Sequence, residues 1–235
     1  MGARLEGLLK GVVSGRRELA AMIDATLLSP TASLDEARRL IGDVASRGFY
    51  CALMPPYHAR ILAGEAGDAG VRLCSVAGFP YGYQHYRVKA AEVEDLSSHG
   101  VVEVDAVINV AAVLSGQWGY VEEEIGALVD AARRGGARLK LIVEAPLLGD
   151  SELERIAAIA RRVGVDYLKT STGVLSKGGD PYTVSRLVRL SGGIPVKAAG
   201  GIRTGLDALV AIAAGASRIG TSSYLRVIET LPVEG

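Results

Sequence analysis

Lys169 and Lys197 lie in strand-like apolar stretches, Tyr167-Leu-Lys169-Thr-Ser-Thr-Gly173 and Val196-Lys197-Ala-Ala-Gly-Gly201. The chain has only six lysines. One strand lysine ordinarily snorkels or pairs with a carboxylate. Two on neighbouring strands, near the same end, bury two cations at a cost that asks for a use. Each cation disfavours protonation of the other, and desolvation acts in the same direction. One of them can then stay a neutral amine and attack a carbonyl carbon to form a Schiff base. Asp105, within Val102-Glu-Val-Asp105-Ala-Val-Ile108, has small or apolar neighbours, so its carboxylate is expected to point inward. It would either neutralise a lysine or exchange protons with it. Asp24, in Ile23-Asp24-Ala-Thr26, reads equally as an inward structural partner or a catalytic one.

A second group of signals concerns anions. Gly200-Gly201 ends one strand candidate, and Gly220-Thr-Ser-Ser223 ends the next. Small residues let backbone N–H groups approach a phosphate, and a following helix N-terminus favours it. Arg203 can add a charged fork, although a solvent-facing arginine is the simpler reading. Other chemistries find no support. There is no Gly-x-x-x-x-Gly-Lys-Ser/Thr loop and no Gly-x-Ser-x-Gly turn. His58, His85 and His99 lack ligand spacing, so they are expected at the surface and no zinc site is expected. Cys51 and Cys74 sit in apolar stretches and read as buried free thiols.

The elements that must position these residues alternate. Eight strand candidates, Met22–Thr26, Cys51–Met54, Leu73–Ala77, Val102–Ile108, Leu139–Glu144, Asp166–Thr170, Pro195–Ala198 and Ser217–Gly220, are spaced to leave room for a crossover helix each. Ser33-Leu-Asp-Glu36 and Ser151-Glu-Leu-Glu154 read as capping boxes, and Gly164 as a left-handed helix stop. Asp180-Pro181 and Thr204-Gly-Leu-Asp207 open two further helices. Alternation of this kind implies a parallel sheet covered by helices. Eight units without a linker fit an α/β (β/α)8 TIM barrel over residues 1–235 as one domain, with an extra helix before Met22; an open doubly wound sheet is the runner-up. Active sites of such barrels lie at the C-terminal strand ends, with phosphate in the loops after strands seven and eight.

Composition narrows the setting. Hydrophobic residues make up 49% and charged residues 22%, which excludes a disordered chain. Twenty-six basic and 26 acidic residues balance to zero, so nothing points to nucleic acid or a membrane surface. Met1–Lys10 mixes charges with leucines and reads as neither a signal peptide nor a myristoylation start. A cytoplasmic location is expected. Arginine outnumbers lysine, and asparagine and glutamine are scarce, which suits a thermophile or a GC-rich coding bias.

Ile23-Asp-Ala-Thr-Leu-Leu28, Glu103-Val-Asp-Ala-Val-Ile108, Leu168-Lys-Thr-Ser-Thr-Gly173, Val196-Lys-Ala-Ala-Gly-Gly-Ile-Arg203 and Gly220-Thr-Ser-Ser223 occur in this order along the chain. Together they resemble the deoxyribose-phosphate aldolases, a class I, Schiff-base family. The resemblance implies cleavage of 2-deoxy-D-ribose 5-phosphate to D-glyceraldehyde 3-phosphate and acetaldehyde, without cofactor or metal. It implies Lys169 as the Schiff-base lysine, with Lys197 lowering its pKa and sharing proton transfer with Asp105. Phosphate contacts would fall on Gly173, Gly200, Gly201 and Arg203, and on Gly220, Ser222 and Ser223. Asp24, Thr26 and Thr172 would face the substrate. The partners implied are the sugar phosphate and aldehyde, and further copies of the chain in a homo-oligomer. The alternatives are another sugar-phosphate aldolase or isomerase on the same barrel, or a non-catalytic sugar-phosphate-binding protein. The sequence departs from the family pattern at Ala25, where many members have His, and in the bulkier segment Gly78-Phe-Pro-Tyr-Gly-Tyr-Gln84. No tyrosine occurs in Leu231–Gly235, where some members carry one that reaches the site.

Overall fold

A computed structural model describes residues 12–231; the readings of Met1–Lys10 and of the last four residues lie outside them. Eight parallel strands close into a barrel in chain order, with β8 returning to pair with β1. They are β1 (Ile23–Thr26), β2 (Cys51–Leu53), β3 (Leu73–Ala77), β4 (Val101–Val107), β5 (Arg138–Ile142), β6 (Tyr167–Lys169), β7 (Val196–Ala199) and β8 (Arg218–Thr221). All eight expected strands are present, displaced by a residue or two at their ends. The helices are α1 (Arg16–Ala21), α2 (Leu34–Arg47), α3 (Pro56–Asp68), α4 (Tyr86–Ser98), α5 (Val110–Leu114), α6 (Trp118–Arg134), α7 (Asp150–Val163), α8 (Pro181–Leu190), α9 (Gly205–Ala213) and α10 (Tyr224–Glu229). The expected extra helix is α1, which buries Leu19 and Ala20 and runs straight into the start of β1.

The caps act locally to start these helices. Ser33 and Glu36 form the reciprocal box that opens α2, and Thr204 with Asp207 does the same for α9. Asp180 caps α8 by accepting from Thr183 N–H. Gly164 ends α7 at φ 84°, the left-handed region that favours glycine. The box expected at Ser151 does not form. Helix α7 begins two residues earlier, with Gly149 as its N-cap, and the Ser151 hydroxyl turns to the adjacent Glu152 instead.

Alternation along each strand separates two interiors. Ile23, Ala25, Leu139, Leu141, Leu168, Val196, Ala198 and Ile219 face outward and pack in the main core beneath the helices. The intervening residues face the barrel axis. Over β2 and β3 these are Cys51, Leu53, Cys74 and Val76, a small apolar cluster. Over the remaining strands they include Asp24, Glu103, Asp105, Lys140, Lys169, Lys197 and Arg218, all buried. Branched aliphatic residues usually fill this space. Here half of it is a charge network.

Two readings of single residues are corrected. Cys51 and Cys74 are not free thiols. Neighbouring strands bring their Cα atoms to 6.2 Å and the sulfurs join as a disulfide. His58 is not at the surface; it is buried on α3, with Nε2 3.1 Å from the Ala32 carbonyl oxygen. Outside the barrel axis, Lys89 on α4 pairs with Glu124 on α6, both fully buried. Its ammonium also donates to the carbonyls of Gly82 (2.6 Å) and Val107 (2.8 Å), which fastens the Gly78–Gln84 segment to the end of β4. Among the described residues no helix is long and apolar enough to cross a membrane.

Candidate active site

Register sets the geometry before any side chain is considered. Lys169 lies beside Lys197 across β6 and β7, and Asp105 beside Lys140 across β4 and β5. Every other residue points to the axis, so these groups converge from four strands. Lys169 Nζ donates to Asp105 Oδ2 at 2.9 Å. Lys197 Nζ donates to the same oxygen at 2.7 Å and to Asp24 Oδ2 at 2.5 Å. Lys140 Nζ lies 2.9 Å from Asp105 Oδ1 and 2.6 Å from Glu103 Oε2. Arg218 reaches Asp24 at 2.9 Å and Glu103 at 3.2 Å. Arg138 closes the lower end on Glu103.

These contacts fix which groups carry charge. Burial favours the neutral form of Lys169, Asp105 opposes that, and Lys197 and Lys140 add to it; the result is a pKa of about 8. Burial alone would raise Asp105, but Lys140, Lys169 and Lys197 outweigh it and hold the carboxyl well below its usual range. Asp24 is lowered likewise, with Lys197, Lys140 and Arg218 overcoming its burial. Lys140 moves the opposite way from Lys169. Burial would lower it, yet Asp105, Asp24 and Glu103 together raise it above the ordinary lysine range. Lys140 therefore stays a cation, while Lys169 sits where it can lose its proton.

A cavity of about 520 Å³ opens at the C-terminal strand ends. Lys169 forms part of its lining, whereas Lys89, Lys140 and Lys197, equally buried, do not. The cavity runs from Lys169 to the loops after β6, β7 and β8. Thr26, Thr172, Gly173, Gly200, Gly201, Arg203, Gly220, Ser222 and Ser223 all line it. Asp24 and Asp105 lie beneath the lining; both oxygens of Asp24 are taken up by Lys197, Lys140 and Arg218. So Asp24 sits where it orders cations, not where a substrate would touch it.

The glycines differ in what they do. Gly173, Gly200 and Gly201 have φ of 78°, 91° and 93°, which side chains rarely adopt. Gly220 has no such need. A Cβ there would lie 2.8 Å from Lys197 Cε, so this glycine makes room for the lysine. Ser223 is the N-cap of α10, but its N–H is already given to Thr221 Oγ1 at 2.9 Å. Its hydroxyl makes no cap contact.

Sequence reasoning missed Lys140, Glu103 and Arg218 as members of the network. The signal for Lys140 was present in Leu139-Lys140-Leu141, a charge alternating with two apolar residues inside a strand. It also missed Glu144, a buried carboxylate with φ 50° just past β5, which accepts from Thr172 N–H at 2.6 Å and from the Ser176 hydroxyl. Asp24, Cys51 and Cys74 bring possible ligand atoms within 4.8 Å of one another, but the joined sulfurs offer no thiolate to a metal.

Comparison with known proteins gives a consistent result. A family model described as DeoC/LacD family aldolase matches residues 27–228. A deoxyribose-phosphate aldolase of Aeropyrum pernix is 43% identical over 215 residues, 91% of this chain and 90% of that protein. One of Thermus thermophilus is 41% identical over 212 residues, 90% of this chain and 96% of the other. The solved tetrameric deoxyribose phosphate aldolase from Aeropyrum pernix superposes with a TM-score of 0.89 at 42% identity, covering 95% of this chain and 94% of that one.

Proposed function

The chain belongs to the DeoC/LacD family of aldolases, and from that premise we propose that it cleaves 2-deoxy-D-ribose 5-phosphate reversibly through a Schiff base on Lys169. The observation that carries this reading is the placement of Lys169. Of the four lysines buried among the described residues it alone lines the cavity, and its pKa is held at about 8. Relatives 43% and 41% identical to this chain are named deoxyribose-phosphate aldolases.

In this reading the neutral Lys169 amine attacks C1 of the open-chain sugar, and loss of water leaves an iminium ion. The iminium is the electron sink for the next step. Asp105 and Lys197, acting with a water, form the base set that removes the C3 hydroxyl proton. The C2–C3 bond then breaks, its electron pair passes into an enamine on Lys169, and D-glyceraldehyde 3-phosphate leaves. Protonation at C2 and hydrolysis return acetaldehyde and the free amine. Asp24 holds Lys197 Nζ in place, and Lys140 helps keep Asp105 ionised. Thr26 and Thr172 face the sugar. The phosphate is held by Gly173, Gly200, Gly201, Arg203, Gly220, Ser222 and the Ser223 hydroxyl. The same reading takes residues 1–235 as one barrel domain, active in the cytoplasm as a homo-oligomer.

Borohydride reduction in the presence of acetaldehyde, followed by peptide mapping, tests the proposal. Irreversible label on Lys169 is expected. Label on Lys197 would reverse the assignment, and no label would remove the aldolase reading.

A further inference from the structure

We infer that the buried Lys89–Glu124 pair, which the reaction proposed above does not use, is a positioning device for its substrate cavity: by fixing Gly78–Gly82 it holds Phe79 in place as a cavity wall. Phe79 lies two residues past β3 and has two sets of neighbours. It lines the cavity with Leu27, Leu28 and Ser29. It also packs on Cys51, Leu53, Cys74 and Val76, the apolar cluster inside β2 and β3. In a barrel closed in chain order, β3 stands opposite β7. Phe79 therefore bounds the cavity on the side opposite Gly200 and Gly201 and separates it from the cluster. The residues that follow give the segment little apolar anchorage. Tyr81 and Tyr83 are exposed and stack on each other, with ring centroids 5.3 Å apart.

What fixes Phe79 is polar and comes from α4 and α6. Gly78 N–H donates to Glu92 Oε2 at 2.7 Å, and Gly82 N–H donates to the Gly78 carbonyl at 2.7 Å, which closes the turn that carries Phe79. The Gly82 carbonyl in turn accepts from Lys89 Nζ at 2.6 Å. The same ammonium donates to the Val107 carbonyl at 2.8 Å and to Glu124 Oε1, so its three donors are all used. Glu124 Oε2 accepts from Asn109 N–H at 3.0 Å. One buried cation thus ties the turn to the end of β4 and, through Glu124, to the residue that caps α5. The turn is fitted to it on both sides. A Cβ on Gly78 would collide with Lys89 Cδ, and one on Gly82 would collide with the Ile108 carbonyl oxygen and lie 2.8 Å from Val107 Cγ1. A buried ion pair gains little stability over apolar residues of the same volume. What apolar residues could not supply is three directed bonds from one point, and those bonds set where the turn lies.

The test is the double variant Lys89→Met, Glu124→Gln, which removes both charges together and leaves an oxygen to accept from Asn109 N–H. KM for 2-deoxyribose 5-phosphate should rise about tenfold with kcat changed less than about twofold, because wall contacts are made alike in the ground and transition states. Phe79→Ala should do the same. Added to the double variant it should raise KM less than about twofold further, since residues that act through one another are not additive. Gly82→Ala displaces the turn from the β4 side without touching the pair; it should match the double variant, and it replaces that variant if the latter does not fold. Amide exchange gives a readout that needs no substrate: the Gly82 N–H should exchange at least about tenfold faster in the variant, while the amides of β3 and β4 keep their protection. An unchanged KM, KM losses that multiply, or unchanged exchange at Gly82 would overturn the inference, and borohydride label still on Lys169 would leave the proposed function standing. A wild-type protein that takes no label, with Gly82 loosened in the variant, would remove the proposed reaction and leave the positioning of the wall.

Discussion

A lysine with a pKa of about 8 is neutral in about one molecule in ten at pH 7, against fewer than about one in a thousand at its ordinary value. Activity limited by that amine should rise with pH and level off near 8. A rate profile for kcat/KM with unit slope below that point checks it, and a flat profile from pH 6 would contradict it. Lys169→Arg should abolish cleavage, because a guanidinium stays charged and cannot attack a carbonyl; turnover comparable to the parent would sink the mechanism. Lys140 gives a contrasting case. It is a fully buried cation bonded to Asp105 and Glu103. Removing one partner of a buried pair costs about 3–5 kcal/mol, so Lys140→Met should lose stability on that scale in urea titration. It should also move the rate profile to higher pH, because Lys140 is one of the charges that lower Lys169. The two lysines are chemically the same residue, and what differs is the number of carboxylates facing each. That number could not be read from the chain. It depends on barrel closure, which brings residue 24 to residue 197 and residue 105 to residue 169.

Elements rest on signals that are local, and these were largely legible. Caps at Ser33, Asp180 and Thr204 need only a few consecutive residues, and all three form. Strand positions followed from short apolar runs and turn residues. Ser151 failed because a start two residues earlier, after Gly149, competes on equal local terms. Lys140 escaped notice because its strand was read for its apolar residues, while the alternating charge is what faces the axis. Gly220 was legible as a glycine at a strand end but not in its purpose. Beside Lys197 it is a space, and a Cβ would meet Lys197 Cε at 2.8 Å and Ala199 Cβ at 3.3 Å. Gly220→Ala should therefore push the Lys197 ammonium off Asp105 and lower kcat, with overpacking of about 1–3 kcal/mol. Borohydride trapping on Lys169 should persist, since the attacking amine is on another strand. Loss of trapping together with kcat, in a folded variant, would show that Gly220 serves the Schiff-base step itself.

For the whole molecule, the disulfide and the charge network share one barrel interior. Cys51 and Cys74 are both fully buried, shielded from reductants in solution. The sequence separation is 23 residues. Closing a loop of that size removes about 3.5 kcal/mol of unfolded-chain entropy. The double variant Cys51→Ala, Cys74→Ala should be less stable by about that amount, which for a chain of this length lowers Tm by about 7–14 °C. Its activity at moderate temperature should stay close to that of the parent, because neither sulfur touches Lys169, Lys197 or Asp105. Two carboxylates of the network adjoin the cystine: Glu103 Oε2 lies 3.9 Å from Cys74 Sγ, and Asp24 lies within 4.8 Å of both sulfurs. Asp24 is held from the other side by Lys197 and Arg218, at 2.5 Å and 2.9 Å, and those contacts do not involve sulfur. Calorimetry and rate measurements on the same preparation separate the two roles. A fall in Tm with an unchanged rate is expected. A rate that falls while Tm holds would mean that the cystine positions Asp24 instead of stabilising the barrel.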